Sequence, residues 1–121
     1  MQNLRQKGTE GEELAVKYLQ EKGFAIIKRN FHYGKIGEID IVAKDKDCLV
    51  FVEVKARNSF KYGTGLDAIT PSKQRQMVVV AKGYIQINNV QNTEMRFDVI
   101  SIDMSAKPPQ FIHIENAIVL R

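Results

Sequence analysis

The segment Leu49-Val50-Phe51-Val52-Glu53-Val54-Lys55 constrains the fold more than any other part of the chain. Its aromatic and β-branched content reads as a strand, and successive strand residues point to opposite faces. Leu49, Phe51, Glu53 and Lys55 therefore share one face, and Val50, Val52 and Val54 the other. Both faces begin apolar, so this strand is predicted to be central, with covering structure on each side. Just upstream, Glu38-Ile39-Asp40-Ile41-Val42-Ala43 reads as a second strand, and the polar Lys44-Asp45-Lys46-Asp47 as a turn. Together they form an antiparallel hairpin.

The rest of the chain supplies the covering layers. Residues 9–22 carry Leu14, Ala15, Tyr18 and Leu19 as one helical stripe, ended by Gly23. Phe24 to Ile27 reads as a short strand, followed by a polar loop through residues 30–34. Thr70-Pro71 is an N-cap and an N1 proline, which opens a helix over Ser72 to Ile87 despite the β-branched run Val78-Val79-Val80. Glu94 to Ile102 is a further strand, Lys107-Pro108-Pro109 interrupts, and a short strand follows within residues 111–120. The expected order is α-β-β-β-α-β plus a short C-terminal strand: an α/β fold with a small mixed β-sheet flanked by helices. No repeat, linker or low-complexity segment divides the chain, so residues 1–121 are expected to be a single domain.

Composition excludes several classes. At 121 residues, 44% apolar and 26% charged, the chain is neither collagen-like, mucin-like nor disordered. The lone Cys48 rules out an intramolecular disulfide and a multi-cysteine zinc site. The longest apolar runs, Leu49–Val52 and Met77–Ala81, fall far short of the ~20 residues of a membrane helix. No apolar leader follows Met1, and a reducing cytoplasmic setting without a membrane partner is expected. A net charge of +4, from 18 basic and 14 acidic residues, leans mildly toward polyanions.

Chemistry enters where the covered face of the central strand turns charged. Glu53 and Lys55 are costly there unless paired or bound to an ion. Hairpin registers that put Asp40 on the same face set it opposite Glu53 or one diagonal step away, ~5–8 Å between Cβ atoms. Two carboxylates that close repel, and a hard divalent cation such as Mg²⁺ or Mn²⁺ resolves the conflict. Lys55 then stands where it can polarise water or meet charge developing on a phosphate. The same short pattern also fits a solvated strand edge, and the conjunction with Asp40 is what favours a metal site.

Gly37-Glu38-Ile39-Asp40, a connector and Glu53-Val54-Lys55 resemble the PD-(D/E)XK nuclease signature in its resolvase-like form. More closely, the chain resembles the bacterial YraN-type family. The matches are Gly8, Gly11-Glu12, Asn30, Gly37 to Asp40, Phe51 to Arg57, Tyr62-Gly63, Lys73, Arg96-Phe97-Asp98 and Asn116-Ala117. The resemblance implies a restriction-endonuclease-like core similar to Holliday-junction resolvases. Asp40 and Glu53 would be metal ligands, Lys55 the catalytic lysine, and Glu12 the glutamate that completes the site from the first helix. Helical projection independently places Glu12 at the edge of the apolar stripe, although an acid early in a helix also complements its dipole. The expected activity is divalent-metal-dependent hydrolysis of phosphodiester bonds in nucleic acid, DNA before RNA, on branched or unusual structures. The alternative is a nuclease-like fold that binds nucleic acid or protein without cutting. Kinship with resolvases also admits a homodimer, which the sequence itself does not show.

Around this site, Lys55 to Gly65 interleaves cations with aromatics, as a nucleic-acid groove does. Arg57 and Lys61 are its candidate phosphate contacts, with Lys73 and Gln74 at the start of the second helix. A snorkelling lysine accounts for Lys73 equally well. Glu38 shares a face with Asp40 and is a supporting candidate. Arg96 and Asp98 alternate on one strand and read as a structural pair, whereas His32, His113 and Cys48 carry no visible catalytic partner.

Overall fold

A strand apolar on both faces needs two covering layers, and the computed structural model, which describes residues 4–59 and 69–118, supplies one helix for each. In chain order the elements are α1 (Leu4–Glu21), β1 (Ala25–Tyr33), β2 (Gly37–Asp45), β3 (Cys48–Arg57), α2 (Pro71–Ile87), β4 (Met95–Asp103) and β5 (Gln110–Ile114). They build one five-stranded sheet in the order β1-β2-β3-β4-β5. Only β3 and β4 run parallel, the other neighbours being antiparallel. A parallel pair needs a long crossover, and α2 lies within it.

The expected mixed α/β architecture is present. The boundaries differ in instructive places. β1 continues to Tyr33, through residues read from sequence as a polar loop. As an edge strand it buries only Phe31, so its alternation is too weak to read, and Asn30 takes a positive φ of 53° within it. Polar short side chains tolerate that conformation. The β2–β3 turn is tighter than predicted, since Asp45 pairs directly with Cys48. α1 starts at Leu4, ahead of the apolar stripe that marks it in the sequence. The N-cap of α2 is as read: Thr70 accepts a hydrogen bond from the Lys73 backbone N–H at 3.1 Å, and Pro71 opens the helix. Among the described residues no helix is long and apolar enough to cross a membrane.

The core splits into two clusters, one on each face of the sheet, and β2 breaks its alternation at Asp40, since Ile39 and Val42 face α2 while Ile41 and Ala43 face α1. On one face Phe31, Ile39, Phe51, Phe97 and Val99 pack against Met77, Val80, Ala81 and Tyr84 of α2. On the other, Ile41, Val50, Val52, Ile100 and Ile102 pack against Ala15 and Leu19 of α1. Phe51 anchors the first, stacked on Phe97 at 5.4 Å and edge-on to Tyr84 at 5.8 Å. Close approach matters for α1. A Cβ on Gly11 would sit 2.8 Å from the Ala56 Cβ, so the helix reaches the end of β3 only because this residue has no side chain.

One buried polar network ties the strands laterally. Asp98, fully buried in β4, accepts from Arg96 Nε at 3.0 Å, from the Asn116 backbone N–H at 3.2 Å and from His113 Nε2 at 2.8 Å. Lys22 Nζ lies 3.3 Å from His113 Nδ1, which leaves Nε2–H as the donor to Asp98. Arg96 also reaches Asp45 at 3.2 Å and Glu115 at 3.7 Å. The expected Arg96–Asp98 pair is thus the centre of a clamp over β2, β4 and the segment after β5. Burial works to raise the Asp98 carboxyl's pKa, but the His113 and Arg96 hydrogen bonds outweigh it and hold it below its ordinary value.

Two predictions follow from this packing. Gly11→Ala should improve the intrinsic helix propensity of α1 yet lower stability by about 1–3 kcal/mol in urea unfolding, through the clash with Ala56. Asp98→Asn should cost ~3 kcal/mol at pH 7 by uncoupling the clamp. A depressed carboxyl contributes stability above its unfolded pKa and loses it as pH falls through the folded one, so the gap between wild type and variant should narrow toward pH 3.

Candidate functional site

The β2–β3 register places the two carboxylates together. The β2–β3 ladder ends at the Ile41–Val52 pair, and Asp40 and Glu53 are the next residue on each strand. Glu53 lies on the α2 face, against Lys73. Beyond the ladder's end the Asp40 carboxylate replaces a strand partner, accepting a hydrogen bond from the Val54 backbone N–H at 2.8 Å through Oδ2. Glu53 is buried, and its Oε2 accepts no hydrogen bond among the described residues. Among the described residues its ion-pair partner is the Lys73 ammonium, reaching over from α2 to 3.4 Å. Burial, followed by the charge of Asp40, pushes the Glu53 carboxyl up to about 8, while Lys73 and then Lys55 pull against that rise. A carboxyl so raised holds its proton at neutral pH unless further positive charge is brought to it.

The remaining predicted residues fall at different distances from this pair. Lys55 follows Glu53 on the same face, half-buried, and makes no hydrogen bond or ion pair among the described residues. Glu12, on α1, stands to the side. Arg29 Nη2 lies 4.0 Å from it, and the Asn30 amide, turned to donate, lies 3.2 Å from one carboxylate oxygen and 3.3 Å from the other. Burial first and the Asp40 charge second raise the Glu12 carboxyl's pKa, so it feels the pair without joining it. Among the described residues, no three His, Cys, Asp or Glu side chains are gathered around one point. Glu38 is paired with His32 at 3.3 Å. Arg57 ends β3 beside Asp103 of β4. Lys61 lies outside the described residues. Gln74 turns back to its own helix start, donating to the Ile69 carbonyl at 3.1 Å.

Sequence reasoning missed two contributors. Arg29 sits 2.6 Å from Glu13 and within reach of Glu12, but its strand was read as ending before it. Gln76 donates to the Ile36 carbonyl at 2.7 Å and accepts from Lys73 Nζ at 3.2 Å. The available signal was spacing: Lys73 and Gln76 are i, i+3 on one helix, and such residues are neighbours.

The donor set fits a hard divalent cation. Asp40 and Glu53 offer carboxylate oxygens, and one of them is buried without a hydrogen bond. Sequence comparison places the chain among known proteins. A profile of the family described as "Uncharacterised protein family UPF0102" matches residues 11–102. The chain belongs to this family. A UPF0102 protein of Clostridioides difficile is 44% identical over 115 residues, covering 95% of this chain and 98% of that one. One from Geobacter metallireducens is 46% identical over 113 residues, with 93% and 92% covered. A third, from Caldicellulosiruptor saccharolyticus, is 45% identical over 105 residues, with 87% and 88% covered. The UPF0102 match spans Glu12, Asp40, Glu53, Lys55 and Lys73 as well as the Arg96–Asp98 pair; His113 and Asn116, which complete the clamp, fall beyond its end.

A buried carboxylate that lacks a hydrogen bond and faces a second one is a local cost in the metal-free protein. Glu53→Gln should therefore fold and be more stable than wild type by ~1 kcal/mol at pH 8, read from chemical unfolding. A lower stability than wild type at that pH would show Glu53 to be a structural ion-pair partner.

Proposed function

We propose that this UPF0102 protein is a divalent-metal-dependent phosphodiesterase on a restriction-endonuclease-like core, acting on nucleic acid, with DNA the favoured substrate. The observation that supports the reading is the treatment of two buried carboxylates on adjacent strands. Asp98 has hydrogen-bond donors to both oxygens, whereas Glu53 is set against Asp40 with one oxygen unsatisfied. A protein able to neutralise the first so thoroughly leaves the second open for an external cation.

In this reading Asp40 and Glu53 would hold Mg²⁺ or Mn²⁺, and Glu12, which stands to the side on α1 with Arg29 and Asn30, would be the further carboxylate. When bound, such an ion supplies Lewis acidity and a more acidic water. The chain's own residues do the rest. Asp40 is fixed in direction by the Val54 N–H, which keeps one oxygen committed and orients the other. Lys55, without a partner among the described residues, is available to orient a nucleophilic water or to stabilise charge on the phosphate oxygens. Arg57, one strand position after Ala56, and the basic loop that follows would track the phosphate backbone.

The test is nicking of supercoiled and branched DNA, with a matching RNA substrate alongside, in Mg²⁺ or Mn²⁺. Wild type should cleave, and Asp40→Asn and Lys55→Met should each lose roughly 100-fold or more in rate. Undiminished cleavage by both variants would assign the activity to a contaminant and end this reading. Metal-independent binding without cleavage would instead identify a non-cutting nucleic-acid module.

A further inference from the structure

We propose that Lys73 is the built-in counter-ion of the acidic pair, surrendering Glu53 to an incoming divalent cation and moving onto the phosphate that accompanies it. The inference rests on the metal-dependent reading above and deepens it by assigning a role to a residue outside the Asp-Glu-Lys motif. Lys73 Nζ stands 3.4 Å from the same Glu53 oxygen that lacks a hydrogen bond, so the contact is an ion pair without hydrogen-bond geometry. Its directional partner is Gln76, whose Oε1 accepts from Nζ at 3.2 Å. Gln76 is in turn held by the Ile36 carbonyl at 2.7 Å. Ile36 precedes Gly37, and a Cβ there would lie 2.7 Å from Gln76 Cδ and 2.8 Å from its Nε2. Gly37 of the Gly-Glu-Ile-Asp run therefore makes the space in which Gln76 positions the lysine.

The arrangement is suited to exchange. The Lys73 side chain is 28% exposed, against 8% for Glu53, so water reaches the ammonium but hardly the carboxylate. A lysine on a flexible stem can leave, re-solvate and stay tethered close by, unlike an arginine locked into a bidentate fork. A divalent ion brings two charges to an oxygen that Lys73 neutralises with one. Released, the ammonium remains at the start of α2, where the helix dipole also favours an anion.

The two halves of the exchange have opposite signatures, which a merely structural ion pair would not produce. Mn²⁺ binding is measured by calorimetry at pH 8 on wild type, Lys73→Met and Gly37→Ala. Binding of a short labelled duplex is then measured by anisotropy in Ca²⁺. Lys73→Met should bind Mn²⁺ roughly tenfold tighter, because a competing charge is gone. Proton binding at Glu53 strengthens too, but a divalent ion feels the lost charge twice over. The same variant should bind the duplex several-fold more weakly. Gly37→Ala displaces the flexible end of Gln76 without altering any charge, and should tighten Mn²⁺ in the same direction by less. Mn²⁺ binding by wild type that neither variant improves would overturn the counter-ion role while leaving the metal site standing. Tighter Mn²⁺ with unchanged duplex affinity would overturn the transfer to phosphate. No Mn²⁺ binding by any of the three at millimolar concentration would overturn the metal reading itself.

Discussion

The Asp98 carboxylate, buried between β3 and β5, is the interaction on which the architecture turns. β4 pairs in parallel with β3, and it joins the hairpin half of the sheet to the C-terminal strand. Hydrophobic burial favours that arrangement but is not directional. A carboxylate that must find Arg96, His113 and the Asn116 N–H together admits only one alignment. Arg96 then carries the constraint to Asp45 at the β2–β3 turn. A fully paired buried charge of this kind fixes register more than it adds net stability.

With the register fixed on the α1 face, Glu53 falls on the opposite face, close to Asp40 where the β2–β3 ladder ends. Both helices are brought close to that end of the sheet by residues that lack side chains. Gly11 lets α1 touch Ala56, which carries Glu12 in, and Gly37 lets Gln76 hold Lys73. The fully paired Asp98 and the incompletely paired Glu53 thus sit one ladder step apart, on opposite faces of the sheet. That segregation is what is expected where a local rule is broken for a purpose.

Much of this was legible in the sequence. β3 reads as central because Val50 and Val52 match Leu49 and Phe51 across its faces, and it is flanked on both sides in the sheet. Thr70-Pro71 opens α2 as written, whereas the two-residue period does not carry through β2, where Ile39 and Ile41 face opposite sides. What was hidden is whatever depends on contacts between distant segments. Residues 30–33 look like loop because an edge strand with one buried side chain has almost no alternation to detect. His113 looks isolated because its partners are fifteen residues upstream and, for Lys22, ninety-one. Lys73 shows a core-facing direction in its helical stripe, but nothing in its spacing says that it would meet Glu53 before Lys55 did.

The Gly11–Ala56 contact has an evolutionary implication. The gap between α1 and the end of β3 is set by one methyl group meeting a bare backbone, so neither position is independent of the other. Enlarging residue 11 before residue 56 has shrunk would lift the helix and withdraw Glu12 with it. A lineage that enlarged residue 11 would therefore lose least stability by passing through a glycine at position 56 first.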